Sequence, residues 1–297
     1  MKKLLISFLI IFCMAQSAHA ISDVQDLSRI DKFKITRIVK NISKTANSKE
    51  LDKFKTYYSK DFVNWDNFKY EEYFSMLEDT FKSYSTMKYD IDIKNMRKTS
   101  DGLVEVHLSD KTTAIVKEPK ENFTNGYLRA TCEYYLYFKK DEEKGWQVVK
   151  DKVVDETTFL TYGEATNSFI ELNAPKNIKP NEEYTIGLTV QPLSKVFVIA
   201  ALGNEKIINP PETSEPIFRK LSTDGILERI VRSNKIGKNE YAMASVGFTR
   251  ANVADDFSSI SFRMSGLAFV LKRVNMNPLA ENEVKWSQNL QKLSFFI

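Results

Sequence analysis

A change of hydrophobic period near residue 88 restricts what this chain can fold into. Before it, apolar residues recur at helical spacing. Ile35, Ile38, Val39 and Ile42 share one face of a first helix. Asn47 and Glu50 stand at capping-box spacing before a second, short helix carrying Leu51, Phe54, Tyr57 and Tyr58. A third follows from about Tyr70, with Tyr70, Tyr73, Phe74, Leu77, Phe81 and Tyr84 in one stripe and Glu71 and Glu72 in its first turn. Then the period becomes two. Tyr89, Ile91 and Ile93 alternate with charged residues; SDG at 100–102 turns the chain; Val104, Val106 and Leu108 alternate with Leu103, Glu105 and His107. Gly126–Val153 reads as a long hairpin turned by DEEKG at 141–145. Three helices followed by antiparallel strands predict an α+β domain whose curved sheet wraps the helices.

The chain begins MKKLLISFLIIFCMAQSAHA. Two lysines, an apolar run from Leu4 to Met14 and Ala18-His19-Ala20 make residues 1–20 a signal peptide, cleaved after Ala20. The run is shorter than the roughly 20 residues of a membrane span. No later stretch is long and apolar enough to cross a bilayer. The expectation is an exported protein, periplasmic or extracellular, with no transmembrane segment in the mature chain.

Cleavage removes Cys13 and His19 and leaves Cys132 and His107 as the only cysteine and histidine. One cysteine forms no internal disulfide, and the pair cannot build a Cys/His zinc site. A Ser-His-Asp set would need His107. The formal charge of +4 loses Lys2 and Lys3, leaving +2, too even a balance to argue for nucleic acid. Neither a phosphate loop nor metal-ligand spacing stands out, so no cofactor, metal ligand or catalytic residue is nominated.

The faces of the hairpin differ. Cys132 shares one with Ala130, Tyr134, Leu136 and Phe138, the apolar side, which is expected inward. Arg129, Thr131, Glu133, Tyr135 and Tyr137 share the other. Arg129, Glu133, Tyr135 and Tyr137 are candidate interface residues, for solvent, for the second half of the chain or for a homodimer contact. A Cys132–His107 dyad is the sharper alternative, since both lie on strands of one sheet.

Two stretches carry a resemblance. YYSKDFVNWDNFKYEEYFSMLEDTF (57–81) includes Tyr58-Ser59-Lys60-Asp61-Phe62, and GWQVVKD (145–151) includes Gly145-Trp146-Gln147-Val148. Over about residues 25–160 the chain resembles the nuclear transport factor 2-like superfamily. That resemblance implies a cone-shaped α+β domain, assigned here to 21–163. The superfamily spans isomerases, dehydratases and binding proteins, so function does not follow from it. It implies a pocket in the cone, with Tyr58, Trp65 and Tyr134 as candidate ligand-binding residues at its mouth. In an enzyme, Asp61, Asp66 and Tyr58 are the groups to consider.

Residues 168–278 change style. APKNIKPNEEYTIGLTV, KVFVIAAL and the stretches 239–253 and 259–276 resemble strands of an immunoglobulin-like β-sandwich. Thr223 to Asn234 reads as a short helix through Ile226, Leu227, Ile230 and Val231. Residues 279–297 form a C-terminal tail. The two halves are expected to fold as units, open to proteolysis between about 160 and 180. The reading is an exported binding or interaction module acting through a cone pocket or sheet face on an unknown small ligand or protein. The alternative is an isomerase- or hydratase-type enzyme. Mass spectrometry of the exported protein should find Ile21 first; an intact Met1 on the mature protein would refute the signal.

Overall fold

In a computed structural model, the structure describes residues 27–116, 125–191, 194, 196–212, 215–253 and 260–277 of the 297. The expected signal peptide and C-terminal tail lie outside these residues.

Helix α1, Arg29–Ser48, is capped by Ser28, whose hydroxyl oxygen accepts the Asp31 N–H, and it buries Ile35, Val39 and Ile42. Helix α2 is the short Leu51–Lys55. Helix α3, Tyr70–Ser83, buries Tyr70, Phe74 and Phe81. Two expectations need correcting here. Asn47 is not a cap of α2: it lies inside α1, and its side-chain amide donates to the Tyr89 carbonyl and accepts the Tyr89 N–H, pinning α1 to the sheet. Tyr58 is not helical. It opens strand β1, Tyr58–Val63, which pairs parallel with a strand far along the chain and so leaves no local signal.

Strands β2 (Lys88–Lys98), β3 (Val104–Val116), β4 (Gly126–Asp141) and β5 (Gly145–Gly163) form an antiparallel meander. Beyond a 3₁₀ turn at Glu164–Asn167 come β6 (Ile170–Asn173), β7 (Asn177–Ile178), β8 (Glu183–Val190), β9 (Phe197–Lys206), β10 (Arg219–Lys220), β11 (Ile226–Arg232), β12 (Glu240–Val253) and β13 (Ile260–Met276). The segment expected as a helix at 223–234 is thus mainly strand β11, fully paired with β8. ILERIVR fits either period, and its edge position leaves Ile226 and Ile230 exposed, which removes the alternation that marks a strand.

One ten-stranded sheet runs through both halves in the order β10-β9-β12-β13-β5-β4-β3-β2, with β1 and β7 paired beside it, and β11-β8-β6 make a separate sheet. The long strand β5 is the hinge of this plan. Its first part pairs with β1 and its last part, Thr157–Gly163, with β13. Leu160 and Thr161, at the start of the expected cleavage window, are therefore flanked by β4 and β13, and Tyr162 and Gly163 pair with β13.

The sheet is covered on opposite faces at its two ends. In the first half the helices pack on the face carrying Val104, Val106, Leu108, Leu136, Phe138 and Val148. In the second half the three-stranded sheet packs on the other face, burying Ile186, Leu188 and Val190 against Ala200, Ala244, Val246 and Val270. Phe159 faces away from the helices yet packs on this second core, because β5 belongs to both. The helix-side face continues into the second half, where Phe197, Phe262, Met264 and Phe269 are exposed.

Gly163 ends β5 at φ 55°, and a Cβ there would collide with the Ser265 carbonyl oxygen. Gly163→Ala should cost about 2 kcal/mol or more of stability in denaturant titration, from the left-handed backbone plus the clash. Wild-type stability in the variant would show that the β5–β13 crossing is loose.

Candidate functional site

Registers across the sheet place a row of polar side chains on the helix-side face. Asp110 of β3 is opposite Cys132 of β4, and Cys132 is opposite Glu156 of β5. Arg273 of β13 follows, and Tyr241 of β12 is opposite it. Residues opposite one another on paired strands share a face, so these five form a polar line across the sheet. Leu108 and Tyr134 flank it on one side, and Thr112 and Ala130 on the other.

Two backbone irregularities in β5 make this line possible. Its pairing with β4 shifts between Tyr137 and Phe138 and again between Glu133 and Tyr134. Each bulge inserts one β5 residue and reverses which side chains face the helices. Asp151 and Glu156 both point inward as a result, against Leu136 and Cys132.

One end of the row is tightly bonded. The Arg273 guanidinium, 2% exposed, donates from Nη2 to Asp66 Oδ1 at 2.6 Å and from Nε to Asn275 Oδ1 at 2.8 Å, with Nη1 3.9 Å from Glu156 Oε2. The Tyr241 hydroxyl donates to Glu156 Oε2 at 2.9 Å, and the Asn239 amide donates to Asp66 Oδ1 at 2.8 Å. This cluster sits where β1 leaves β5 and β13 joins it. It closes the gap between two strands that occupy one lane end to end. Trp65 N–H donates to Asp151 Oδ1, and the Asn275 amide to the Val154 carbonyl, across the same gap.

The other end is short of partners. Asp110 Oδ2 accepts the Thr112 hydroxyl at 2.8 Å, while Oδ1 is covered and has no hydrogen-bond partner. Burial pushes the Asp110 carboxyl up to about 6, and burial does the same for Asp151. Glu156 is also raised by burial, against the opposing pull of Arg273. Burial likewise lifts the Tyr73 and Tyr134 hydroxyls and the Cys132 thiol far above their ordinary values. Yet Tyr73, Tyr89, Asp110, Cys132, Tyr134 and Glu156 each keep accessible surface. Tyr73, Tyr89 and Tyr134 pack against the apolar core while remaining half-buried.

The expected ligand-binding residues separate on this map. Tyr134 is half-buried on the helix-side face and packs against the core. Tyr58 is buried among Phe54, Phe62 and Phe74, with ring centroids 5.0–5.2 Å away, and acts as core. Trp65 lies under the ammonium groups of Lys150 and Lys152, 5.2 and 4.9 Å from its ring centre; both lysines are opposite outward residues of β4. Of the carboxylates weighed for an enzyme, Asp61 is exposed on β1 and Asp66 is taken by Arg273. The residues not anticipated are Asp110, Asp151, Glu156, Tyr73 and Arg273.

Arg129, Glu133, Tyr135 and Tyr137 all face away from the helices. Tyr137 donates to Glu105, which also pairs with Arg97 at 2.7 Å. Tyr135 stacks on His107 with centroids 4.7 Å apart. Arg129 lies over Phe159 and lines a cleft of about 490 Å³ with Thr166 and Phe169. His107 and Cys132 therefore stand on opposite faces of the sheet, which rules out the dyad.

Among the described residues no group of His, Cys, Asp and Glu is placed to hold a metal ion, and no helix is long and apolar enough to cross a membrane. No family profile matches the chain, and no curated protein matches it. Among solved structures it is similar to a domain of unknown function with a cystatin-like fold from Nostoc punctiforme, at 12% identity and TM-score 0.33, over 42% of this chain and 76% of that one. A protein from Novosphingobium aromaticivorans named for scytalone dehydratase is similar at 16% identity and TM-score 0.33, over 42% of this chain and 83% of that one.

A raised carboxyl pKa has a defined signature. The folded protein holds the Asp110 proton above the pH at which the unfolded chain releases it, so this group's contribution to stability falls as pH rises from about 4 through about 6. Asp110→Asn should remove that loss. In urea titrations the variant should gain on wild type over this range, by about 1 kcal/mol at neutral pH after screening. A gap that is flat or narrows with pH would contradict it.

Proposed function

We propose that the chain is an exported binding module whose N-terminal half, read as a cone of the nuclear transport factor 2-like kind, holds a small molecule beside Asp110. The C-terminal half, read as a β-sandwich, serves as a rigid support. The observation that carries this reading is the grouping of half-buried Tyr73, Tyr89 and Tyr134 about Asp110, one of whose carboxylate oxygens has no hydrogen-bond partner. Ligand sites join apolar walls to a few placed polar groups in this way. The outward aromatic face with Tyr135 and Tyr137 is a second contact surface in the same reading.

One observation favours the enzyme alternative. Asp110 and Asp151 titrate near 6, within reach of the neutral range in which a carboxyl serves as acid or base. A fragment screen by ligand-observed NMR separates the readings. Fragments should bind wild type and lose binding in Cys132→Trp, whose ring would crowd the row between Asp110 and Glu156. Fragments that bind both proteins equally would place the site elsewhere. A bound fragment converted to product, with loss of turnover in Asp110→Asn, would move the assignment to an enzyme.

A further inference from the structure

A cleft opens on the face of the sheet away from the helices, beside the start of the second layer. Thr131, Thr157 and Phe159 line it from the sheet, and Thr166 and Phe169 from the 3₁₀ turn and the residues after it. Its volume, about 490 Å³, lies in the range of small-molecule sites. A second cleft of about 480 Å³, reaching Thr113, Ile115 and Tyr127, adjoins it and shares Arg129 and Thr166 with it.

Strand register sets the chemistry of this surface. Lys88 of β2 is opposite Thr113 of β3, Thr113 is opposite Arg129 of β4, and Arg129 is opposite Phe159 of β5. The row therefore runs cation, hydroxyl, cation, ring on one face. Lys88 and Arg129 stand two strand spacings, about 10 Å, apart. Among the described residues they are the only charged groups lining either cleft, and neither is paired with a carboxylate. Arg129 lies over Phe159, with its guanidinium carbon 5.9 Å from the ring centre. Stacking uses the flat face of the guanidinium and leaves its N–H edge free. Thr166 holds a hydroxyl with no hydrogen-bond partner, a spare donor between the two clefts. Phe169, 54% exposed, adds open apolar surface beside the cation.

A cationic ligand would be repelled by this row. A neutral one would leave both cations as they are. An acid group supplies the missing charge and two acceptors for the guanidinium fork, and a ring attached to it would cover the apolar part of the cleft. We propose that the cleft binds a small aromatic carboxylate, its acid group on the Arg129 guanidinium and its ring against Phe159 and Phe169. Lys88 adds attraction from across Thr113. The cleft is on the opposite face of the sheet from Asp110, so this site stands or falls apart from the one proposed above.

The test compares benzoate, benzamide and acetate by chemical-shift titration of the full mature chain at constant pH and ionic strength. Benzoate and benzamide have the same heavy-atom count, so that pair isolates charge; acetate keeps the charge and lacks the ring. Benzoate should shift resonances of Arg129, Phe159 and Phe169. Benzamide and acetate should each bind at least roughly ten-fold more weakly, the scale of one charge-assisted hydrogen bond. Arg129→Gln should weaken benzoate by a similar factor; the side chain is exposed, so the variant should fold. Phe169→Ala supplies a second variant with the guanidinium intact and should weaken benzoate more than acetate. Lys60→Gln, an exposed cation on β1, should change nothing. Equal binding of benzoate and benzamide, unaffected by Arg129→Gln, would overturn the anion. Benzoate shifts confined to residues outside the cleft, or absent, would overturn the site.

Discussion

The contact between Arg273 and Asp66 holds the plan of this molecule together. Strand β5 has two successive neighbours in one lane, β1 and then β13, drawn from opposite ends of the described chain. Two strands meeting end to end leave unpaired backbone and a gap at the junction. Arg273 and its partners fill it with directed bonds from β12, β13 and the loop after β1. A buried pair of this kind is a poor source of net stability, because desolvating both ions costs about as much as their attraction returns. What it supplies is position. A well-packed leucine would fill the space but would not fix the order in which these segments meet.

That continuity explains why the sheet changes its covered face. The helices need an apolar face to lie on, and the β6-β8-β11 layer needs one too. Since β5 and β13 are hydrogen-bonded neighbours, the two layers share one twisted sheet and settle on opposite sides at its two ends. One end of the polar row binds the halves to each other. The other end, at Asp110 and Cys132, has no such duty.

The legible parts of the fold were those written in local period. The faces of α1 and α3, the strands of the meander and the inward side of Cys132 and Tyr134 follow from spacing alone. Asp110 was missed although its signal was present: Val104, Val106 and Leu108 set a buried face, and continuing two residues along it reaches an aspartate at an apolar position. Asp151 and Glu156 were hidden by the β5 bulges, which break the alternation without leaving a glycine or proline to mark them. Arg273 was hidden because its partners Asp66 and Glu156 come from the loop after β1 and from β5, and no local pattern reports a junction. Segment 226–232 was misjudged since an edge strand with exposed isoleucines carries no period of two. Tyr58 and Trp65 were chosen for being aromatic near a resembled motif, whereas packing decides whether an aromatic residue is a wall or a filling.

Native-state hydrogen exchange along β5 tests the continuous sheet most directly. If β5 is one strand shared by both halves, amides of Thr157–Thr161 should open only with global unfolding, at the same free energy as those of Val148–Lys152. Exchange of 157–161 through a separate, lower-energy opening, together with β12 and β13, would mean that the halves are independent units and that Arg273 joins them without making them one.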